Sequence, residues 1–205
     1  MFVIGITGGI GCGKSTAAAV CREAGLPVLD ADEISREVTA AGGDALAEIR
    51  ELFGPAVFAD DGSLDRANAA KRVFRDHRSL DQLSRIVHRH VLRIMRERLE
   101  QLAEKGTGAA VLDVPIPVRE GFVDQCDQIW VVWAGDRQRI ERLAARGMEP
   151  DEARRRMAMQ MTREEYEALA DHVLNNDGPP DELAGRVMEL LELELGQRGI
   201  RMVRH

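Results

Sequence analysis

Residues 7–16 read TGGIGCGKST, and Gly8, Gly13, Lys14 and Ser15 within them fit G-x-x-x-x-G-K-[ST], the spacing of a phosphate-binding loop. The residue types answer a physical need. Glycine admits backbone conformations closed to other residues and lets the chain approach a ligand. Successive N–H groups across Gly8, Gly9, Ile10, Gly11, Cys12, Gly13, Lys14, Ser15 and Thr16 then line a concave nest for an anion, with Cys12 as a small side chain within it. A helix starting at Lys14 adds its positive N-terminal end. Lys14 brings a mobile charge to the β- and γ-phosphates of a nucleotide, and Ser15 offers a hydroxyl to Mg2+. Chance supplies about one such match per thousand sequences of this composition. Only three of the 28 cationic residues are Lys, namely Lys14, Lys71 and Lys105, so a Lys at this position stands out.

Outward from the loop, strands alternate with helices. The apolar run Phe2–Thr7 enters the loop as a strand, and the helix from Lys14 runs through Ala17, Ala18, Ala19 and Val20 to a C-cap at Gly25. Further strands are expected over Leu26–Leu29, Ala109–Leu112 and Gln128–Ala134, with a weaker one over His172–Leu174. Helical segments are expected around 33–52 and 66–75. A longer one near 80–104 opens on a capping box of Ser79 with Gln82. Gly147 and Pro150 break the stretch 137–163 into two helices, and Thr162 with Glu165 forms another capping-box pattern. The last helix runs from Asp181 to about Leu195. This pattern predicts an α/β chain: a parallel five-stranded sheet with helices on both faces and a helical insertion before the third strand.

Composition narrows the class. The chain has 205 residues, 44% hydrophobic and 31% charged, which fits one folded domain and excludes a disordered or low-complexity chain. No apolar stretch is long enough for a membrane span. MFVIGITGG lacks a basic leader and reads as a strand, so a cytoplasmic location is expected. A net charge of −7 argues against a nucleic-acid partner, and a membrane partner is likewise not expected. Cys12, Cys21 and Cys126 are odd in number and show no metal-ligand spacing. No helix face is apolar enough to set an oligomeric state.

Acidic residues and arginines near the strand ends supply further candidates. Asp32 ends the second strand, at the carboxyl end where ligands bind in a parallel sheet. It is placed as a base for an attacking hydroxyl, as a holder of a magnesium-bound water, or as the N-cap of a helix starting near Glu33. Asp30 fits a structural role. Asp113 ends the third strand after Ala109-Ala110-Val111-Leu112, a pattern in which the carboxylate orients Mg2+. The stretch 137–163 holds eight Arg, most of them expected on a solvated surface. Arg142 and Arg146 share a helix face and are the candidates for a lid that stabilises a transferring phosphoryl group. There is no N-K-x-D guanine signature. His88 and His90 are two apart and make poor co-ligands on a helix.

GITGGIGCGKST, PVLDADEISREV, DGSLDRANAAKRVF, LDVP, RRRMAMQMTREE and ADHVLNNDG together resemble the dephospho-coenzyme A kinase family over nearly the whole chain. The resemblance implies a P-loop kinase fold over 1–205, with a substrate-binding insertion over about 33–105 and a lid over about 137–165. It implies transfer of the ATP γ-phosphoryl group to the ribose 3′-hydroxyl of dephospho-coenzyme A, the alternative being a nucleoside monophosphate kinase. Asp32 is then the base, and Gly8 to Thr16 hold the ATP phosphates. Arg142 or Arg146 belongs to the lid, and adenine is expected near Asn175–Gly178, with Asn176 and Gly178 as contacts. Two departures stand out: Ile116-Pro117-Val118-Arg119 with Glu120 where the family commonly continues L-L-x-E, and His88-Arg89 where it often has His-Pro.

Overall fold

The computed structural model describes residues 1–73, 77–115 and 121–202. The departure at 116–120 and the end of the expected helix 66–75 lie outside them. Five strands form one all-parallel sheet: β1 (Phe2–Thr7), β2 (Val28–Asp30), β3 (Ala109–Asp113), β4 (Gln128–Trp133) and β5 (His172–Asn175). The order is β2-β3-β1-β4-β5. β1 and β3 are buried along their whole length, as expected for strands covered on both faces. Asp127 Oδ2 accepts from Val3 N–H and Asp171 Oδ2 from Ile129 N–H, both at 2.7 Å, so acidic residues preceding β4 and β5 satisfy donors on the neighbouring strands.

The chain divides into two compact units, Met1–Asp30 with Glu100–His205, and Ala31–Leu99. In the first, α1 (Lys14–Glu23) buries Ala17, Ala18, Val20 and Cys21 and packs against the last helix, α9 (Pro180–Gln197). α9 presents Leu183, Val187, Leu191 and Leu195 at four-residue spacing, none more than 1% exposed. Burying each such side chain stabilises the fold by roughly 1.5–3 kcal/mol. α6 (Asp136–Ala145), α7 (Pro150–Ala158) and α8 (Arg163–Glu167) connect β4 to β5. Gly147, at φ 84°, separates the first pair, and Pro150 opens α7. The capping box of Thr162 and Glu165 is present and opens the third helix, α8, beyond the two expected.

The second unit holds α2 (Ala31–Thr39), α3 (Leu46–Phe53), α4 (Arg66–Val73) and most of α5 (His77–Glu104). Asp65 Oδ1 accepts from the N–H groups of Ala67 (3.0 Å) and Asn68 (2.9 Å) and so caps α4. Arg66 Nη2 donates to Ser35 O (3.2 Å) and Thr39 Oγ1 (3.1 Å), tying α4 to α2. Arg98 pairs with Glu37 (2.6 Å), and Arg89 and His90 both lie on Glu48. These last contacts give His90 a structural place.

Three local expectations are corrected. α5 is described from His77 onward, so Ser79 stands inside the helix and not at its N-cap position. The expected segment 33–52 is two helices, α2 and α3, because Gly42 and Gly43 interrupt it. β2 begins two residues late and ends at Asp30, because Leu26 N–H turns back onto Cys21 O as the C-terminal closure of α1. No described helix is long and apolar enough to cross a membrane.

Candidate active site

The strand order reverses direction beside β1. The connection leaving β1 runs one way along the sheet to β2, whereas the one leaving its neighbour β4 runs the other way to β5. Ligands of open parallel sheets bind at such a reversal, outside the carboxyl ends of the strands. The loop of residues 8–13 leaves β1 at this point. Gly13 is the N-cap of α1, at φ 98°, and no side chain caps the helix. Its left-handed conformation suits glycine, and a Cβ there would stand 2.1 Å from Asn176 Nδ2. Cys12 N–H turns back onto Gly9 O (3.1 Å) and Thr16 N–H onto Gly13 O (3.0 Å). No described residue accepts from the N–H groups of Gly11, Gly13, Lys14 or Ser15. These donors and the helix end make a ready anion site.

Lys14 Nζ donates to Asp113 Oδ1 at the end of β3. Asp113 is 2% exposed, and burial pushes its carboxyl above the ordinary range while the Lys14 ammonium pulls it back. Asp30, beside Asp113 in the sheet register, lies 3.9 Å from Arg22. Ser15 is exposed in the first turn of α1. Its hydroxyl and the Asp113 carboxylate are hard oxygen donors of the kind Mg2+ takes, and a site of few protein ligands suits an ion held mainly by phosphates and water. Among the described residues there is no group of three or more His, Cys, Asp or Glu side chains arranged to hold a metal.

Asp32 falls beyond the strand. β2 ends at Asp30, and Asp32 lies with Glu33 in the first turn of α2, which starts at Ala31, two residues earlier than expected. It therefore sits within the helix and is not its N-cap. Arg142 is already at the loop: Nη2 donates to Asn176 O (2.9 Å) and Gly178 O (3.4 Å), and Nη1 to Gly11 O (3.5 Å). Arg146 is the C-cap of α6 and is exposed. Asn176 is 5% exposed and donates from Nδ2 to Cys12 O (2.7 Å). Asp177 Oδ1 accepts from Gly135 N–H (2.7 Å), which with a side-chain bond from Asn175 holds its pKa below the ordinary value.

Two residues of the site carried no assigned role in the sequence. Arg139 is 4% exposed. It donates from Nε to Ile10 O (2.9 Å) and from Nη2 to Gln160 Oε1 (3.2 Å), with its guanidinium 5.0 Å from the Trp133 ring centre. Gln160 Oε1 also accepts from Ile10 N–H (2.8 Å). The available signal for Arg139 is its four-residue spacing from Leu143, the other buried residue of α6. Cys12 is fully buried beneath these groups, and burial raises its thiol pKa against the pull of Arg139 and Arg142.

Comparisons with known proteins place the chain in a family. The dephospho-CoA kinase family model matches residues 2–182. A dephospho-CoA kinase of Anaeromyxobacter dehalogenans is 42% identical over 203 residues, covering 98% of this chain and 96% of that protein. One from Thermobifida fusca is 42% identical over 199 residues, covering 97% and 98%. The crystal structure of TT1252 from Thermus thermophilus superposes with a TM-score of 0.79 at 35% identity, covering 95% of this chain and 97% of that one. Dephospho-CoA kinase from Campylobacter jejuni, at 19% identity, shares the fold with a TM-score of 0.73, covering 95% and 98%. With a matching model over most of its length and relatives this similar, the chain belongs to the dephospho-CoA kinase family.

Proposed function

We infer that this chain catalyses ATP-dependent phosphorylation of the ribose 3′-hydroxyl of dephospho-coenzyme A, giving coenzyme A and ADP. Family membership across residues 2–182 names the reaction, and the observation that carries it chemically is the open loop at the N-terminus of α1 with Lys14 beside it. Nucleoside monophosphates, the acceptors left open by the loop alone, are not favoured by the family.

The residue roles follow from the chemistry. The loop Gly8 to Thr16 holds the phosphates, with the N–H groups of Gly11, Gly13, Lys14 and Ser15 as its donors. Lys14 exchanges its Asp113 contact for the β- and γ-oxygens and offsets charge on the group in transfer. Ser15 and Asp113 are the residues to hold Mg2+, which when bound neutralises phosphate charge. Asp32 takes the proton as the 3′-oxygen forms its bond to the γ-phosphorus and the bond to the β–γ bridging oxygen breaks, leaving ADP. Arg142 and Arg146 are the lid arginines, and adenine lies against the segment 175–178. The helical insertion over about 33–105 is the segment expected to bind the acceptor. Transfer of this kind depends on positioning and electrostatics more than on covalent chemistry, so each role is one of placement.

An ADP-release assay with Mg-ATP tests this reading against dephospho-coenzyme A, AMP, CMP, UMP and no acceptor. Turnover is expected with dephospho-coenzyme A alone. Asp32→Asn is expected to lower kcat by about a hundred-fold or more, within the range for a lost general base, with ATP affinity kept. Turnover on a monophosphate would replace the acceptor, and near-normal turnover of Asp32→Asn would remove it from the base role.

A further inference from the structure

Three consecutive carbonyl oxygens of the phosphate loop are each held by a side chain from the β4–β5 half of the chain. Ile10 O accepts from Arg139 Nε at 2.9 Å, Gly11 O from Arg142 Nη1 at 3.5 Å and Cys12 O from Asn176 Nδ2 at 2.7 Å. The last of these is the shortest, and it is buried on both sides. Asn176 is itself fixed: its N–H donates to Trp133 O (2.7 Å), and its carbonyl accepts from Arg142 Nη2 (2.9 Å).

The consequence is one of peptide geometry. In a trans peptide the carbonyl oxygen and the following N–H point to opposite sides of the chain. Holding Cys12 O outward therefore turns Gly13 N–H toward the concave side of the loop, just as holding Ile10 O turns Gly11 N–H. Neither N–H has an acceptor among the described residues. Only the amide nitrogen of Asn176 can face a carbonyl, which leaves its Oδ1 buried without a hydrogen-bond partner among the described residues. An orphaned acceptor of this kind costs stability, and it is tolerated here beside a short bond to the loop. The side chain also abuts Gly13, since a Cβ there would lie 2.1 Å from Nδ2.

We propose that Asn176 is a positioning residue for the triphosphate: it locks the Cys12–Gly13 peptide so that Gly13 N–H faces the phosphates. This rests on the phosphate-loop reading given above, and it differs from the expectation that Asn176 touches adenine. The two separate by ligand. A loop brace acts on any polyphosphate, with or without a base attached.

The test measures dissociation constants for ATP and for inorganic tripolyphosphate, on wild type, Asn176→Ala and Asn176→Leu, by calorimetry or competition. Asn176→Leu keeps the side-chain shape without the donor, and it serves if the alanine variant is unfolded in a thermal melt. Loss of one buried donor is expected to weaken both ligands by the same factor, about ten-fold. Weakening of ATP with tripolyphosphate unchanged would assign Asn176 to the base and overturn the proposal, as would unchanged binding of both. Wild-type protein that binds no tripolyphosphate would overturn the phosphate-loop reading and this proposal with it.

Discussion

At the scale of single residues, the site is built from a few groups whose chemistry is strictly local and a few whose role depends on neighbours. Gly13 belongs to the first kind. It combines φ 98° with a Cβ position 2.1 Å from Asn176 Nδ2. Gly13→Ala must therefore strain the backbone and displace Asn176 together. It is expected to weaken ATP binding by at least about a hundred-fold, since strain and a lost brace each contribute a kcal/mol or more. Titration calorimetry checks this, and affinity within a few-fold of wild type would show the loop to be more pliable than its contacts imply. Arg139 belongs to the second kind. Its spacing from Leu143 puts it on the buried face of α6, but what that face meets depends on how α6 is turned onto the loop and onto Trp133. Its burial beside a carbonyl and an aromatic face suits a guanidinium, which is less strongly hydrated than an ammonium. Asp32 shows how small an error matters. The sequence placed it at a strand end, and the structure places it two residues past the end of β2, as the second residue of α2.

Among the elements, those defined by side-chain periodicity were legible and those defined by neighbours were less so. The spacing of Leu183, Val187, Leu191 and Leu195 identifies α9 without knowing its partner, because an apolar stripe at this period has one stable disposition. β2 is only three residues long and half-exposed, so its bounds are set by the closure of α1 and by its register with β3, neither of which is a property of its own residues. The five-residue helix α8 is held by its cap: Glu165 N–H donates to Thr162 Oγ1 (3.3 Å), and Thr162 N–H donates to Glu165 Oε2 (2.8 Å). It carries Tyr166, whose ring lies 5.7 Å from Trp133 and whose hydroxyl burial drives to a raised pKa. Thr162→Ala is expected to cost about 1 kcal/mol of local stability. The effect is expected as faster amide hydrogen exchange in 163–168, with the sheet unchanged. Unchanged exchange in that segment would show that tertiary packing, not the cap, holds α8.

At the scale of the whole chain, the sheet is closed below β4 and β5 by one buried carboxylate. Glu194 of α9 accepts from Gln128 Nε2 (2.8 Å) and Arg198 Nη1 (2.7 Å) and lies 3.1 Å from His172 Nε2. Burial works against the charged form, but the bonds from Gln128 and Arg198 outweigh it and hold the pKa below the ordinary glutamate value. A lowered pKa in the folded state gives stability that is present above the unfolded value near about 4.3 and is lost as the pH falls through the folded value. Glu194→Gln is therefore expected to unfold at lower urea at pH 7, by roughly 1–2 kcal/mol, with the difference from wild type closing below about pH 4. A gap that is equal at pH 7 and pH 3.5 would show that shape, not charge, sets the contribution.

What the sequence determined by itself was whatever short-range physics encodes. The loop's glycines and Lys14 are fixed by backbone freedom and charge, the strand and helix alternation by apolar pattern, and the class of ligand by both together. The strand order β2-β3-β1-β4-β5, the choice of Arg139 over its neighbours, and the capture of three loop carbonyls from residues more than a hundred positions away were decided only by tertiary structure. The reason is physical. A carbonyl's orientation and an arginine's burial depend on where distant segments pack, and no window of sequence contains both partners.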